Sequence, residues 1–211
     1  MRTFAILLIV VGSVLPVALS GHAAAVTRPV TIRVYNNFGL STRVLEQAQH
    51  TASALLRQAG IAPVWRHCRA RRGPAAKSSD ACADHVGTAE LLLRVVRAPH
   101  DDERVPSFGY SHVDTAARMG TLSTVFADRV TAAGRRLGLD QATLLGRVVA
   151  HEVGHLLLGS TDHSDAGLMR AQWPDHVLQH SGPEVWFFSE RDADVMRHSL
   201  LARIDGVSGP P

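Results

Sequence analysis

The sequence predicts an α/β (α+β) fold, in which a mixed, twisted sheet packs against one long helix. Strand-like segments of four to eight residues are separated by Gly, Pro and polar clusters. A helix-like segment lies between the first two strands, and a longer, capped helix over 140–159 follows the last one. The resulting order is β-α-β-β-(β) followed by a helix, which is typical of a sandwich of helices and a mixed sheet.

The first two elements have clear local signals. Val30 to Tyr35 reads as a strand, because β-branched apolar residues alternate with Thr31 and Arg33. A helix should follow, with Ser41 as its N-cap and Gly60 as its end. Its apolar residues recur at helical spacing: Val44, Leu45, Ala48, Ala52, Leu55 and Leu56.

Four further strands complete the predicted sheet. Ile61 to Trp65 is short, and Ala89 to Val96 is almost continuously apolar, as in a strand buried on both faces. Ser107 to Val113 is a short edge strand, and Gly120 to Ala127 is the last strand before the long helix. The acidic segment 99–106 lacks the spacing of an EF-hand, so a solvated turn is favoured over a calcium site.

The N-terminus has the layout of a secretory signal peptide. Arg2 precedes an apolar run from Phe4 to Leu19, and three alanines end at Ala25. The run is short for a membrane anchor and contains Pro16, so cleavage after Ala25 is favoured. We therefore expect a signal peptide over 1–25 and a bacterial protein that is secreted or periplasmic, with no stable membrane association after cleavage.

Length and charge limit the remaining choices. The chain has 211 residues, 45% of them hydrophobic, which suits one buried core and a single domain over 26–211. The formal net charge is only +3. Apart from a group of arginines in one loop, the basic residues are scattered and form no stripe, so nucleic acid is not an expected partner.

Cys68 and Cys82 are the only cysteines of the chain. They bracket a polar stretch, and in an oxidising compartment they should form a disulfide. Closing a loop of this length contributes about 3 kcal/mol in the chain-entropy model. A cysteine metal site is disfavoured, because the spacing is not that of a CxxC motif.

The long helix carries a candidate metal site. Asp140 is its predicted N-cap and Gly159 its end, with an apolar stripe between them. His151 and His155 are four residues apart, so both imidazoles project from the same face and can bind a single ion. Glu152 is angled aside from the metal, where a carboxylate can act as general base on a zinc-bound water.

A catalytic zinc site needs a third protein ligand and one open position. A left-handed turn at Gly159 would reverse the chain and bring His163 toward the two helical histidines. Glu190 is the alternative third ligand, since it opens a later helix after Ser189, although acidic residues also favour the first turn of any helix. Other histidines are weaker candidates: His112, His176, His180 and His198.

The segment HEVGHLLLGSTDHSDAGLM resembles the metzincin zinc signature with its Met-turn, and DHS is similar to the matrixin version. Two additional residues between His155 and His163 distinguish it from the metzincin consensus. The resemblance implies a metzincin-like catalytic domain with a C-terminal helix, one catalytic Zn²⁺ held by His151, His155 and His163, and Glu152 as the catalytic residue. It therefore implies an exported zinc-dependent endopeptidase acting on protein or peptide substrates.

Further roles follow from the same resemblance. Met169 would be the Met-turn residue, packing below the metal without binding it. Residues 171–173 would border the pocket for the first residue after the cleaved bond, although Trp173 is equally well explained as core. The edge strand over 107–113 would pair with an extended substrate.

Two other readings remain open. A gluzincin-type protease would use Glu190 as its third zinc ligand. A secreted binding module would use zinc only for stability, with Asp162 closing the site as a fourth ligand. The presence of Glu152 argues against the second reading, because a structural site has no use for a general base.

Overall fold

The computed structural model describes residues 28–68, 82, 84–99 and 107–206. Five strands form one mixed sheet in the order β2-β1-β3-β5-β4. Their bounds are β1 Arg28–Asn36, β2 Ile61–Cys68, β3 Glu90–Val96, β4 Gly109–Asp114 and β5 Met119–Phe126. The first four in this order are parallel, and β4 runs antiparallel to β5 at one edge.

The helices are α1 Thr42–Gln58, α2 Ala127–Leu137, α3 Gln141–Leu158, α4 Asp175–His180 and α5 Glu190–Ile204, with a 3-10 turn at Pro183–Trp186. The predicted N-caps Ser41 and Asp140 are confirmed, and Ser189 caps α5 in the same way. Each of these side chains accepts a hydrogen bond from a main-chain N–H in the first turn of its helix. None of the described helices has the length and apolar character needed to cross a bilayer.

The hydrophobic core lies between the sheet and the two long helices α1 and α3. From the sheet, Val30, Ile32 and Val34 are buried because alternate side chains of β1 face the helices. Helices α1 and α3 approach closely at Gly146, where an added Cβ would meet the main chain at Ala48. This packing makes α3 an almost fully buried helix, so polar side chains on it need a specific explanation.

The C-terminal helix is tied to the same core by a buried arginine. Arg203 is only 3% exposed and donates hydrogen bonds to the carbonyl oxygens of Gly120 and Leu156, at 2.8 and 2.6 Å. One guanidinium thus joins α5 to β5 and to α3. The predicted fold, with its mixed sheet, long helix and C-terminal helix, is confirmed.

One strand and two helices differ from the prediction. The strand predicted over 61–65 extends to Cys68, where it pairs with β1 in parallel register. Helices α2 and α4 were not predicted. The buried face of α2 has mostly small residues, including Ala127, Ala133 and Gly134, so few large apolar side chains mark it in the sequence. Helix α4 has only six residues.

The predicted disulfide is confirmed between Cys68 and Cys82, whose Cα atoms are 5.7 Å apart. It anchors the end of β2 to the segment before β3. Arg33 strengthens this connection, donating to the carbonyl oxygen of Asp84 at 2.9 Å and forming an ion pair with Glu90. The predicted signal peptide and most of the acidic segment 99–106 lie outside the described residues.

Candidate metal centre

His151 and His155 project from α3 into a site at the edge of the core. They are 8% and 5% exposed. Their rings are in edge-to-face contact, with centroids 4.7 Å apart, as expected for residues spaced by about one helical turn. Asp140 caps the start of α3 and Gly159 ends it, so the main chain that carries both rings has a defined position.

Main-chain carbonyls determine which nitrogen each ring presents to the site. Nδ1 of His151 lies 2.8 Å from the carbonyl oxygen of Leu168, and Nδ1 of His155 lies 2.9 Å from that of Ser160. A carbonyl oxygen only accepts, so each Nδ1 carries the hydrogen. Each Nε2 therefore keeps its lone pair, which is the arrangement that metal-binding histidines show.

The two Nε2 atoms are 3.1 Å apart. Burial, followed by the charge of His155, lowers the pKa of His151 to about 3, so this ring is neutral at pH 7. Two neutral rings with their hydrogens on Nδ1 have no donor to place between the Nε2 atoms. A cation bound by both Nε2 atoms would accept the two lone pairs and remove the repulsion between them.

His163 completes the group. Gly159 adopts a left-handed conformation with φ of 62° and ends α3. The chain then reverses, and the His163 ring stands 4.8 Å from the ring of His155 and 5.4 Å from that of His151. One nitrogen from each of the three histidines lies within 4.8 Å of the others.

The alternative ligands lie elsewhere. Glu190 is exposed at the start of α5 and is outside the metal-binding group. Asp162 is exposed and accepts a hydrogen bond from the hydroxyl of Ser160 at 2.8 Å. Among the described residues, the three histidines are the only such group, and they leave a fourth coordination position without a protein donor. Four other histidines are outside it: His112, His176, His180 and His198.

Glu152 is 4% exposed and lies beside the first histidine. Burial raises the pKa of this carboxyl group to about 7, and a hydrogen bond from Ser111 opposes the rise. The hydroxyl Oγ of Ser111, on the edge strand β4, is 2.7 Å from Oε2 of Glu152. The carboxylate is thus held between α3 and β4.

Ser111 and Leu168 were missed by the sequence analysis. A serine in a short polar strand carries no pattern that links it to a glutamate 41 residues later. Leu168 acts through its main-chain carbonyl, which any residue possesses. The signal that was available is the turn at Gly167, whose φ of 76° shapes the segment carrying Leu168 and Met169.

Met169 is 1% exposed and lies under α3. A Cβ added at Gly154, the residue before His155, would stand 2.7 Å from the sulfur of Met169. Trp173 packs edge-to-face on the ring of His151, with centroids 5.5 Å apart, and on Trp186 at 5.3 Å. The 167–173 segment thus supports the first histidine from below and from one side.

A cleft of about 1020 Å³ runs along the site. Its lining residues come from the edge strand β4, the helices α2, α3 and α4, and the segment 170–173. The residues of the site that line it are Gly109, Ser111, Val148, His151, Glu152, His155, His163 and Trp173. The metal group is therefore accessible to a ligand as large as a peptide.

The donor set fits a divalent cation that prefers imidazole nitrogen, such as zinc. Nitrogens bound at about 2.0–2.1 Å in tetrahedral geometry are about 3.3 Å apart, close to the 3.1 Å between the two Nε2 atoms. The ligand nitrogen of His163, the exposed member of the group, lies within 4.8 Å of both. The residues present therefore suit a catalytic type of site, with one position left for a water or substrate.

No protein-family model and no curated protein matches the sequence. Many solved structures resemble the fold, among them the following two. Archaemetzincin from Methanopyrus kandleri has a TM-score of 0.52 and 15% identity over 82% of this chain and 96% of its own length. Metalloproteinase-II from Bacteroides fragilis has a TM-score of 0.52 and 13% identity over 84% of this chain and 55% of its own length, so the present chain spans about half of it. The chain therefore has a fold shared with archaemetzincin and with a bacterial metalloproteinase.

Proposed function

We propose that the protein is an exported zinc-dependent endopeptidase of the metzincin kind. The observation that carries this proposal is the pair of buried Nε2 atoms of His151 and His155, 3.1 Å apart with both Nδ1 atoms bonded to carbonyls. A structural role for two such rings would bury unsatisfied lone pairs, which is costly. The shared fold with two metalloproteinase-type structures supports the same reading.

In this proposal His151, His155 and His163 hold one Zn²⁺. Zinc, when bound, supplies a Lewis acid that polarises the scissile carbonyl and makes a water acidic enough to lose its proton near neutral pH. Imidazole nitrogens from a helix pair and one later residue leave the coordination position that this chemistry needs. The matrixin-like DHS sequence around His163 and the Met-turn role of Met169 are part of the proposal.

Glu152 is the general base. Its carboxylate accepts the proton from the attacking water and delivers it to the nitrogen of the leaving amine. The side chain is buried and anchored through Oε2 by Ser111, which leaves Oε1 as the oxygen that handles the proton. A carboxylate fixed beside the metal group, without coordinating, is what this role requires.

In this proposal the substrate main chain binds along the edge strand β4. Strand β4 pairs with β5 on one side and is at the edge of the sheet on the other, and Gly109, Tyr110 and Ser111 of this strand line the cleft. An extended peptide could continue the sheet there, as in β-augmentation. The segment 171–173 would then border the pocket for the residue after the cleaved bond.

Export rests on the N-terminal run and its alanines, which have the layout of a cleaved signal peptide. The disulfide between Cys68 and Cys82 agrees with an oxidising compartment. A periplasmic or secreted location follows, and with it a protein or peptide substrate outside the cytoplasm. Mass spectrometry of the exported protein tests this, since cleavage after Ala25 gives a chain that begins at Val26.

The activity test compares the purified protein with Glu152→Gln on a broad peptide library and on casein. We expect about one zinc per chain in both proteins and hydrolysis only by the unsubstituted one, because Gln cannot accept the proton. Glu46→Gln, an exposed substitution on α1, is the matched control and should remain active. Equal inertness of both zinc-loaded proteins on all substrates would instead favour the non-catalytic binding module.

A further inference from the structure

The hydroxyl of Ser111 stands at a junction of three acceptors. Its Oγ is 2.7 Å from Oε2 of Glu152, 2.9 Å from the main-chain oxygen of Glu152, and 2.9 Å from Oγ of Ser123. Ser123 is the cross-strand neighbour of Ser111 in the register of β4 and β5. A hydroxyl has one hydrogen, so only one of these acceptors receives it at a time.

The neighbouring serine decides which acceptor that is. Ser123 is fully buried and donates to the main-chain oxygen of Glu152 at 3.2 Å. Because Ser123 already donates to the main-chain oxygen, the ionised carboxylate of Glu152 is the strongest remaining acceptor for Ser111. Hydrogen bonds to ionised oxygens are stronger and shorter. The Ser123 hydroxyl therefore donates to the main chain of Glu152, and the Ser111 hydroxyl donates to its side chain.

The other carboxylate oxygen of Glu152, Oε1, is packed against the main chain of β4. A Cβ added at Gly109 would stand 2.9 Å from Oε1 of Glu152, so β4 lies against this oxygen as well. Immediately after Ser111, the ladder between β4 and β5 shifts register between His112 and Val113. Such irregularities re-aim side chains and are frequent beside active sites.

We propose that Ser111 is a positioning residue for Glu152, fixing the rotation of its carboxylate so that Oε1 faces the reacting water. This proposal deepens the proposed peptidase function and rests on it. The terminal torsion of a glutamate is broad and has no strong intrinsic preference. Without the hydroxyl, the carboxylate would rotate among orientations of which few are productive.

The proposal also links substrate seating to the base. Ser111 belongs to the same edge strand that would pair with the substrate main chain. Displacement of a reacting group by about 1 Å is enough to cost about a hundredfold in rate. Positioning through β4 therefore predicts an effect on kcat, while the binding of substrate to the strand edge is unchanged.

The test uses two substitutions of the same shape. Ser111→Thr keeps the hydroxyl and Ser111→Val lacks it, and both β-branched residues suit a strand. We expect Val to lower kcat at least tenfold relative to Thr, with KM, zinc content and thermal stability of the two variants alike. Ser53→Ala, on α1, removes a buried hydroxyl that accepts a hydrogen bond from the indole N–H of Trp65 on β2; it controls for hydroxyl loss elsewhere and should keep kcat.

Equal kcat values for the Thr and Val variants, with the unsubstituted enzyme active, would overturn the positioning role and leave the peptidase function intact. If the unsubstituted, zinc-loaded protein hydrolyses nothing, the proposed function fails instead. Crystal structures of the two variants then decide the positioning role. A Glu152 carboxylate that keeps its orientation in Ser111→Val contradicts it, and a rotated carboxylate supports it.

Discussion

Nε2 of His151 lies 3.1 Å from Nε2 of His155, and the opposite nitrogen of each ring is bonded to a main-chain carbonyl. The carbonyls come from Leu168 and Ser160, in the segment that follows α3. The helix supplies the spacing of the two rings, and the loop after it supplies their orientation. Metal binding should therefore depend on the loop as much as on the helix.

Removal of the metal should destabilise the protein. A ligand that binds only the folded state stabilises it by about 2.7 kcal/mol when present at a hundred times its dissociation constant. We expect a chelator to lower the melting temperature by several degrees and added zinc to restore it. Calorimetry with and without chelator measures this; His151→Ala should abolish the zinc-dependent difference, and persistence of the full difference in that variant would contradict the site.

Gly159→Ala should lower zinc affinity and stability together. Gly159 has φ of 62°, and an added Cβ would collide with the carbonyl of Arg118. Gly138 has nearly the same φ, 67°, but open space around it, so Gly138→Ala isolates the backbone strain of about 1 kcal/mol. Zinc titration of both variants makes the comparison, and equal zinc affinities would show that the close contact does not shape the loop.

Gly109→Ala should reduce hydrolysis. A Cβ at this position would stand 2.6 Å from the carbonyl oxygen of Thr124 and 2.9 Å from Oε1 of Glu152. Either β4 or the carboxylate must move, so we expect a fall in kcat of about tenfold or more with zinc retained. Gly87→Ala makes only ordinary contacts at 3.6 Å and serves as the control; activity of Gly109→Ala equal to that of the control would argue against a tight fit between β4 and Glu152.

Stability should fall in acid partly through the N-cap of α3. The side-chain and main-chain groups of Thr143 both donate to Asp140 and lower the pKa of its carboxyl group below 3.8. A carboxyl group whose pKa is lower in the folded state stabilises the fold above its unfolded pKa and loses that contribution as pH falls through the folded value. As the pH falls from about 5 through the folded pKa, which lies below 3.8, this contribution should disappear.

Asp140→Asn separates the contribution of the carboxylate charge from that of the capping hydrogen bond. Asn caps a helix almost as well as Asp but does not titrate. The free energy of unfolding of the unsubstituted protein, measured by urea titration at several pH values, should therefore converge on that of the Asn variant as the pH falls. Two curves that stay parallel over this range would show that the Asp140 carboxyl does not contribute.

The sequence predicted those parts of the fold whose signals are local. The caps at Ser41 and Asp140 and the glycine at 159 are properties of a few adjacent residues, and the structure has all three where they were expected. The i, i+4 spacing of His151 and His155 follows from helix geometry alone. The pairing of Cys68 with Cys82 required only the number of cysteines and the expected compartment.

The remaining parts depend on contacts between distant segments. Helix α2 was missed because its buried face consists mostly of small residues, with few of the large apolar side chains that mark a core-facing stripe. The contact of Ser111 with Glu152 requires the register of β4 on β5, which depends on the complete sheet. The carbonyls of Leu168 and Ser160 could not be predicted from residue type, because every residue carries one.

Zinc content is the measurement that tests the central claim most directly. Purified His163→Ala, Glu190→Ala and His176→Ala proteins can be compared by atomic absorption after dialysis against a weak chelator. We predict that only His163→Ala loses its zinc, because His163 alone among the three lies with the helical pair. Loss of zinc from Glu190→Ala with retention in His163→Ala would contradict the proposed ligand set and support the gluzincin-type alternative.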